Sequence, residues 1–155
     1  MHVLQDYLHA LGIQDIAIVH NEISMQSNWI NQYDNWTTAK AAKQLLRLFH
    51  SNANKLLSKD SYDFLLQTLK DTQTGQKSIR GQLPTETIIA HKTGHSGKNN
   101  TGLTGALNDI GIVYMPDGSY FYLSVFVSNS MESTEESQVI IAEIASLAYD
   151  YFRAK

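Results

Sequence analysis

A chain of 155 residues has the length of one compact domain, or of a piece of one, and excludes a large multidomain assembly. Fifteen acidic against twelve basic residues leave a formal charge of −3. Neither sign is gathered into blocks, which argues against a phosphate-binding surface and so against nucleic acid as a partner. Hydrophobic residues at 43% suffice for a core, and no apolar run approaches the roughly 20 residues that span a bilayer. The absence of cysteine removes disulfides and thiolate metal sites. The opening Met1-His2-Val3-Leu4-Gln5-Asp6 shows no basic stretch followed by an apolar one, so no signal peptide is visible.

Val3, Leu4, Tyr7, Leu8 and Leu11 recur at helical spacing and Gly12 follows as a stop, which predicts a first helix. The short apolar stretch Ile16-Ala17-Ile18-Val19 gives way to a polar segment from His20 to Asn35 without clear period, read as a long loop. Ala42, Leu45, Leu46 and Phe49 predict an amphipathic helix over 37–49, with Asn35, Thr37 or Thr38 as its N-cap. A further helix over 60–70 buries Tyr62, Leu65, Leu66 and Leu69. The segment 71–75 breaks it, and Leu83-Pro84 ends a connector.

Strands begin beyond that point. Residues 87–93 are β-rich; after a Gly/Asn/Ser loop comes a strand over 109–115, which Pro116-Asp117-Gly118 joins to another over 120–127 as a hairpin. Both alternating sets of that last strand are apolar, Phe121, Leu123 and Val125 against Tyr120, Tyr122 and Phe126, so the sheet is covered on both faces. Ser133-Thr134-Glu135-Glu136 is a capping box opening a helix whose stripe Ile140, Ile144, Leu147, Ala148 and Tyr151 is expected to pack on the sheet. Helices followed by an antiparallel sheet and a closing helix make an α+β fold.

The chemistry concentrates in His91-Lys92-Thr93-Gly94-His95-Ser96-Gly97, where a cation, hydroxyls and glycines end a strand and backbone N–H groups can meet an anion or an amide. His91 and His95 lie on a strand and its exit loop, so their spacing of four does not make a metal pair. Lys92-Thr93-Gly94 is the third motif of serine β-lactamases and penicillin-binding proteins. With 107–118 downstream, and His20-Asn-Glu-Ile-Ser-Met-Gln26 and Gln32-Tyr-Asp-Asn-Trp-Thr-Thr38 upstream, the chain resembles the C-terminal portion of a class A serine β-lactamase of the PER/VEB-like extended-spectrum branch, from about Tyr7 to Tyr151.

The resemblance implies a β-lactamase/transpeptidase-like fold, with a helical region over 1–84 holding an Ω loop at about 20–35, and the sheet with its C-terminal helix over 85–155. Glu22 matches the Ω-loop carboxylate that activates the hydrolytic water, and Gln26 the position that helps hold it. Lys92 and Thr93 match the strand residues that polarise the site and hydrogen-bond the substrate carboxylate. Gly94 and Ser96 match the same substrate-binding strand end, and the N–H of His95 matches one arm of the oxyanion hole. Ile23 stands where proline is commonest, and Gln26 where asparagine is usual. The family's carboxylate-binding arginine is replaced by Asn108 and the alternate arginine site by Ser78; Arg80 is a candidate to anchor the carboxylate instead, with a structural ion pair the expected reading. No serine has lysine three residues on and no Ser-Asp-Asn occurs. In the family both elements, the first helix and two strands precede the point that Met1 matches. The expected partners are therefore β-lactam antibiotics and a missing N-terminal segment or a second copy of the chain, with no cofactor and a periplasmic location. The expected activity is β-lactam hydrolysis by the parent enzyme, with this chain alone inactive; the alternatives are a D-alanyl-D-alanine peptidase or penicillin-binding protein, and a catalytically inactive fragment.

Overall fold

The computed structural model describes residues 2–53 and 55–155. Helix α1, His2–Ala10, ends as its sequence dictates: Gly12 takes φ +87°, and the N–H groups of Gly12 and Ile13 return to the carbonyls of His9 and Leu8. That pair of bonds satisfies two carbonyls the helix end would orphan, and it brings Ile13 onto Leu8 in one small core. A two-residue strand β1, Ile16–Ala17, pairs antiparallel with β2, Trp36–Thr37. The pair closes the neck of the segment between them.

That segment is not irregular. It holds helix α2, Glu22–Ser27, and a 3₁₀ stretch, Trp29–Asp34, each begun by an asparagine whose side chain accepts a backbone N–H: Asn21 from Ser24 and Asn28 from Ile30. Neither buries a residue, so no hydrophobic period betrays them. Local capping builds them instead.

Helix α3, Ala39–Ser51, starts on Thr38, whose hydroxyl accepts from the Ala41 N–H, and stops at Asn52 in the left-handed region. Helix α4, Lys59–Lys70, starts on Ser58. Its Tyr62, Leu66 and Leu69 are partly buried as expected, but Leu65 is exposed, because the helix rests on the sheet by a narrower stripe than the sequence suggests.

Strands β3, Ile89–His95, β4, Thr104–Tyr114, and β5, Tyr120–Ser130, form an antiparallel sheet in the order β3-β4-β5. Strand β4 begins five residues before the expected Asp109, since Thr104 pairs with Ser130 across the extended hairpin. Both faces of the sheet are covered. One meets helix α5, Thr134–Arg153, around Ile89, Val113, Phe121 and Ile141; the other meets α3 and α4 around Leu46, Ala90 and Ile112. The α+β expectation therefore holds.

Ser133 and Glu136 form the anticipated capping box at the start of α5. The stripe is a correction. Helix α5 buries Ser137, Ile141, Ala142, Ala145 and Tyr149, whereas Ile140, Ile144, Leu147 and Tyr151 face outward, Leu147 at 71% exposure. Two apolar faces run along this helix, and the sheet takes the one whose alanines allow close approach. Trp36 is half-exposed on β2. No helix among the described residues is long and apolar enough to cross a membrane.

Candidate active site

Strand β3 carries the residues of the Lys-Thr-Gly segment along an edge. The Ile88 carbonyl accepts from the Tyr114 N–H at 3.0 Å, and the Ser96 N–H donates to the Ala106 carbonyl at 2.9 Å. Backbone groups alternate sides along a strand, so even-numbered residues bond β4 and odd-numbered ones turn N–H and C=O to the open edge. The N–H of His95 therefore points away from β4, free for an incoming acceptor. A Cβ on Gly94 would meet open space, so nothing of the protein fills the volume beside that backbone.

The side chains divide by face. Lys92 is exposed, and its Nζ folds back to donate to the Thr93 carbonyl. Thr93 is half-buried, with its hydroxyl 3.0 Å from that of Thr74. The Ser96 hydroxyl donates to the Gly97 carbonyl and accepts from the Ala106 N–H, so it pins the strand exit. Lys92, Thr93 and Gly94 line a cavity of about 220 Å³ together with Asn108, Thr37 and Ile13. A second cavity of about 450 Å³, between the 16–37 segment and β4–β5, shares Thr37 and Asn108 with it.

Glu22 opens α2, where the free N–H groups of a helix start favour a carboxylate. Its Oε1 accepts from the Gln26 Nε2 at 3.0 Å, so these two residues meet one helical turn apart. The loop that carries them is clamped at its neck by Asn35, whose Oδ1 accepts from the N–H groups of Val19 and His20 at 2.7 and 2.9 Å while its Nδ2 donates to the His20 carbonyl. His20 adds contacts to Asp34 at 2.9 Å and to the Ser24 hydroxyl at 3.0 Å. The Tyr33 hydroxyl donates to Asn129 on β5 at 2.8 Å, fixing the loop to the sheet. The structure thus forms two groups, Glu22 with Gln26 on the loop and Lys92 to Ser96 on β3; Glu22 lines neither of the two cavities beside the sheet.

Over residues 1–152 the chain matches the profile of the beta-lactamase enzyme family. It is 43% identical over 152 residues to Beta-lactamase VEB-1 of Pseudomonas aeruginosa, covering 98% of this chain and 50% of that protein. Extended-spectrum beta-lactamase PER-1 of the same organism is 40% identical over 148 residues, covering 96% and 47%. The crystal structure of TLA-1 extended spectrum beta-lactamase superposes with a TM-score of 0.91 at 44% identity, over 96% of this chain and 53% of that one. The chain belongs to the class A serine β-lactamases, in their PER/VEB-like branch. It spans about half the length of the curated relatives it matches.

Within this β-lactamase segment, a buried pair that the sequence reading did not bring together stands close to the site. His91, fully buried, holds its Nδ1 3.0 and 3.1 Å from the two carboxylate oxygens of Asp109, itself fully buried. Asp109 Oδ2 also accepts the Ile79 N–H at 3.1 Å. The only trace in the sequence is a polar residue at an inward position of each strand. Arg80 forms no ion pair among the described residues; its Nη1 donates to the Thr87 carbonyl, which corrects the ion-pair expectation, since the group it reaches is uncharged. Ser78 is buried at 1% exposure, and Asn108 leaves its Oδ1 without a hydrogen-bond partner among the described residues.

Proposed function

We propose that the protein containing this segment hydrolyses the β-lactam amide bond and so confers resistance to β-lactam antibiotics. A serine in the half of the fold this chain does not match attacks the lactam carbonyl, the C–N bond breaks, and the ring nitrogen takes a proton. Glu22 then takes a proton from water, whose oxygen attacks the acyl carbonyl and releases the serine. Gln26 orients that water. Lys92 and Thr93 grip the substrate carboxylate, and the His95 N–H faces the carbonyl oxygen where negative charge develops.

The observation that carries this reading is the edge geometry of β3: a cation, a hydroxyl and an outward N–H follow one another beside open space, in a chain of this family. The clamped loop supports Glu22 as the base, because it fixes that carboxylate on a capped helix. Export to the periplasm is the location that suits an antibiotic-hydrolysing enzyme of this family. The exposed α5 stripe and the open edge of β5 support a covering by the N-terminal half. Steady-state hydrolysis of a chromogenic cephalosporin by the full-length protein tests the assignment. Glu22→Gln lowers turnover by at least about 100-fold, the scale of a lost general base; undiminished turnover overturns it.

A further inference from the structure

We propose that the buried His91–Asp109 pair and the loop over 71–78 form a positioning device for Thr93, with Thr74 its outermost residue. The inference rests on Thr93 as a carboxylate-binding residue and adds what sets its side chain. The sheet register explains how the pair arises. His91 lies opposite Gly111 and Thr93 opposite Asp109, so the imidazole and the carboxylate are diagonal neighbours on one face. A Cβ on Gly111 would come within 2.9 Å of the His91 Cβ, so the glycine leaves the imidazole its room. With both Asp109 oxygens facing Nδ1, that nitrogen carries the proton and donates.

From this anchor the contacts run outward to the site. Asp109 Oδ2, by accepting the Ile79 N–H, ties down the end of the loop. Thr72 Oγ1 donates to the outward-facing His91 carbonyl at 3.2 Å and ties its start. Between them Gly75 passes so near β3 that a Cβ there would lie 2.3 Å from the Thr93 methyl and 3.6 Å from Asp109 Oδ2. Thr74, beside it, shares the 3.0 Å hydrogen bond with the Thr93 hydroxyl. The methyl is fenced by the loop backbone and the hydroxyl is held by Thr74, so one rotamer of Thr93 is selected. Thr93 also lines the cavity that Lys92 and Gly94 share.

Thr74→Val and Asp109→Asn in the full-length protein test the device. Each is expected to raise KM for a carboxylate-bearing cephalosporin about five- to tenfold, the scale of one hydrogen bond, with kcat changed less than about twofold because the grip serves ground and transition states alike. Thr74→Ser restores the wild-type KM. In a Thr93→Val background neither substitution raises KM further. A KM effect of equal size in that background overturns the proposal, as does a fall in kcat or melting temperature with KM unmoved. A readout independent of turnover is the χ1 of Thr93, measured from its three-bond methyl couplings. A single rotamer in the wild type that averages in Thr74→Val supports the device even in a protein that hydrolyses no β-lactam, the result that sinks the proposed function alone. One unaltered rotamer in Thr74→Val overturns the device, whether or not Asp109→Asn folds.

Discussion

At Gly75 the backbone lies at φ +68° against the Thr93 methyl, so the position is constrained twice. The left-handed conformation alone costs a non-glycine residue about 1–2 kcal/mol. The 2.3 Å approach adds a displacement of Thr93 or of the loop, since a β-branched side chain on a strand has little freedom to yield. Gly75→Ala is therefore expected to lower stability by more than about 1 kcal/mol in urea unfolding and to raise KM in the same protein. A stable variant with unchanged KM would show that the loop has slack. At Asn35 a single side-chain amide serves three backbone groups, so one residue sets the opening of the loop that carries Glu22.

Among the elements, α3 meets the sheet through His50, whose Nδ1 and Nε2 each lie 3.1 Å from a tyrosine hydroxyl, Tyr122 on β5 and Tyr114 on β4. Burial first, and then Lys70, hold the His50 imidazole below its ordinary pKa; burial pushes the Tyr122 hydroxyl up to about 12. The sign follows from proton counts. Near and below the ordinary imidazole value of about 6.5 the unfolded chain binds more protons at this residue than the folded one. Stability from this contact is present above that value and declines as pH falls through it. Urea midpoints at about pH 7.5 and 5.5 are expected to differ less in His50→Gln than in the wild type, and equal differences would contradict this. Periodicity and capping made α3, α4, the hairpin and the start of α5 legible from sequence. Helix α2 and the 3₁₀ stretch after it were not, because an asparagine cap at each rather than an apolar stripe creates them. The α5 stripe misled because large residues advertise a face more loudly than the alanines that the sheet selected. Lys92, Thr93 and His95 form a contiguous motif and so could be proposed from the sequence. The His91–Asp109 pair joins residues 18 apart and emerges only from the strand register.

At the scale of the whole molecule, the sheet has two open edges, β3 and β5, and α5 presents Ile140, Ile144, Leu147 and Tyr151 to solvent. The edge of β3 is the one the proposed chemistry uses, and the edge of β5 with the α5 stripe is the surface assigned to the N-terminal half. The 155-residue chain by itself is thus expected to give no cephalosporin turnover and to associate in native mass spectrometry; a well-folded lone monomer of 17.4 kDa would count against that covering. The most direct test of the account is the intact mass of the full-length Glu22→Gln protein mixed with a penicillin. The account predicts a covalent adduct of one antibiotic that persists in the variant, on a serine outside residues 1–155, and clears within the mixing time in the wild type. A variant that never acquires the adduct, or sheds it as fast as the wild type, would contradict the role of Glu22 and with it the proposed mechanism.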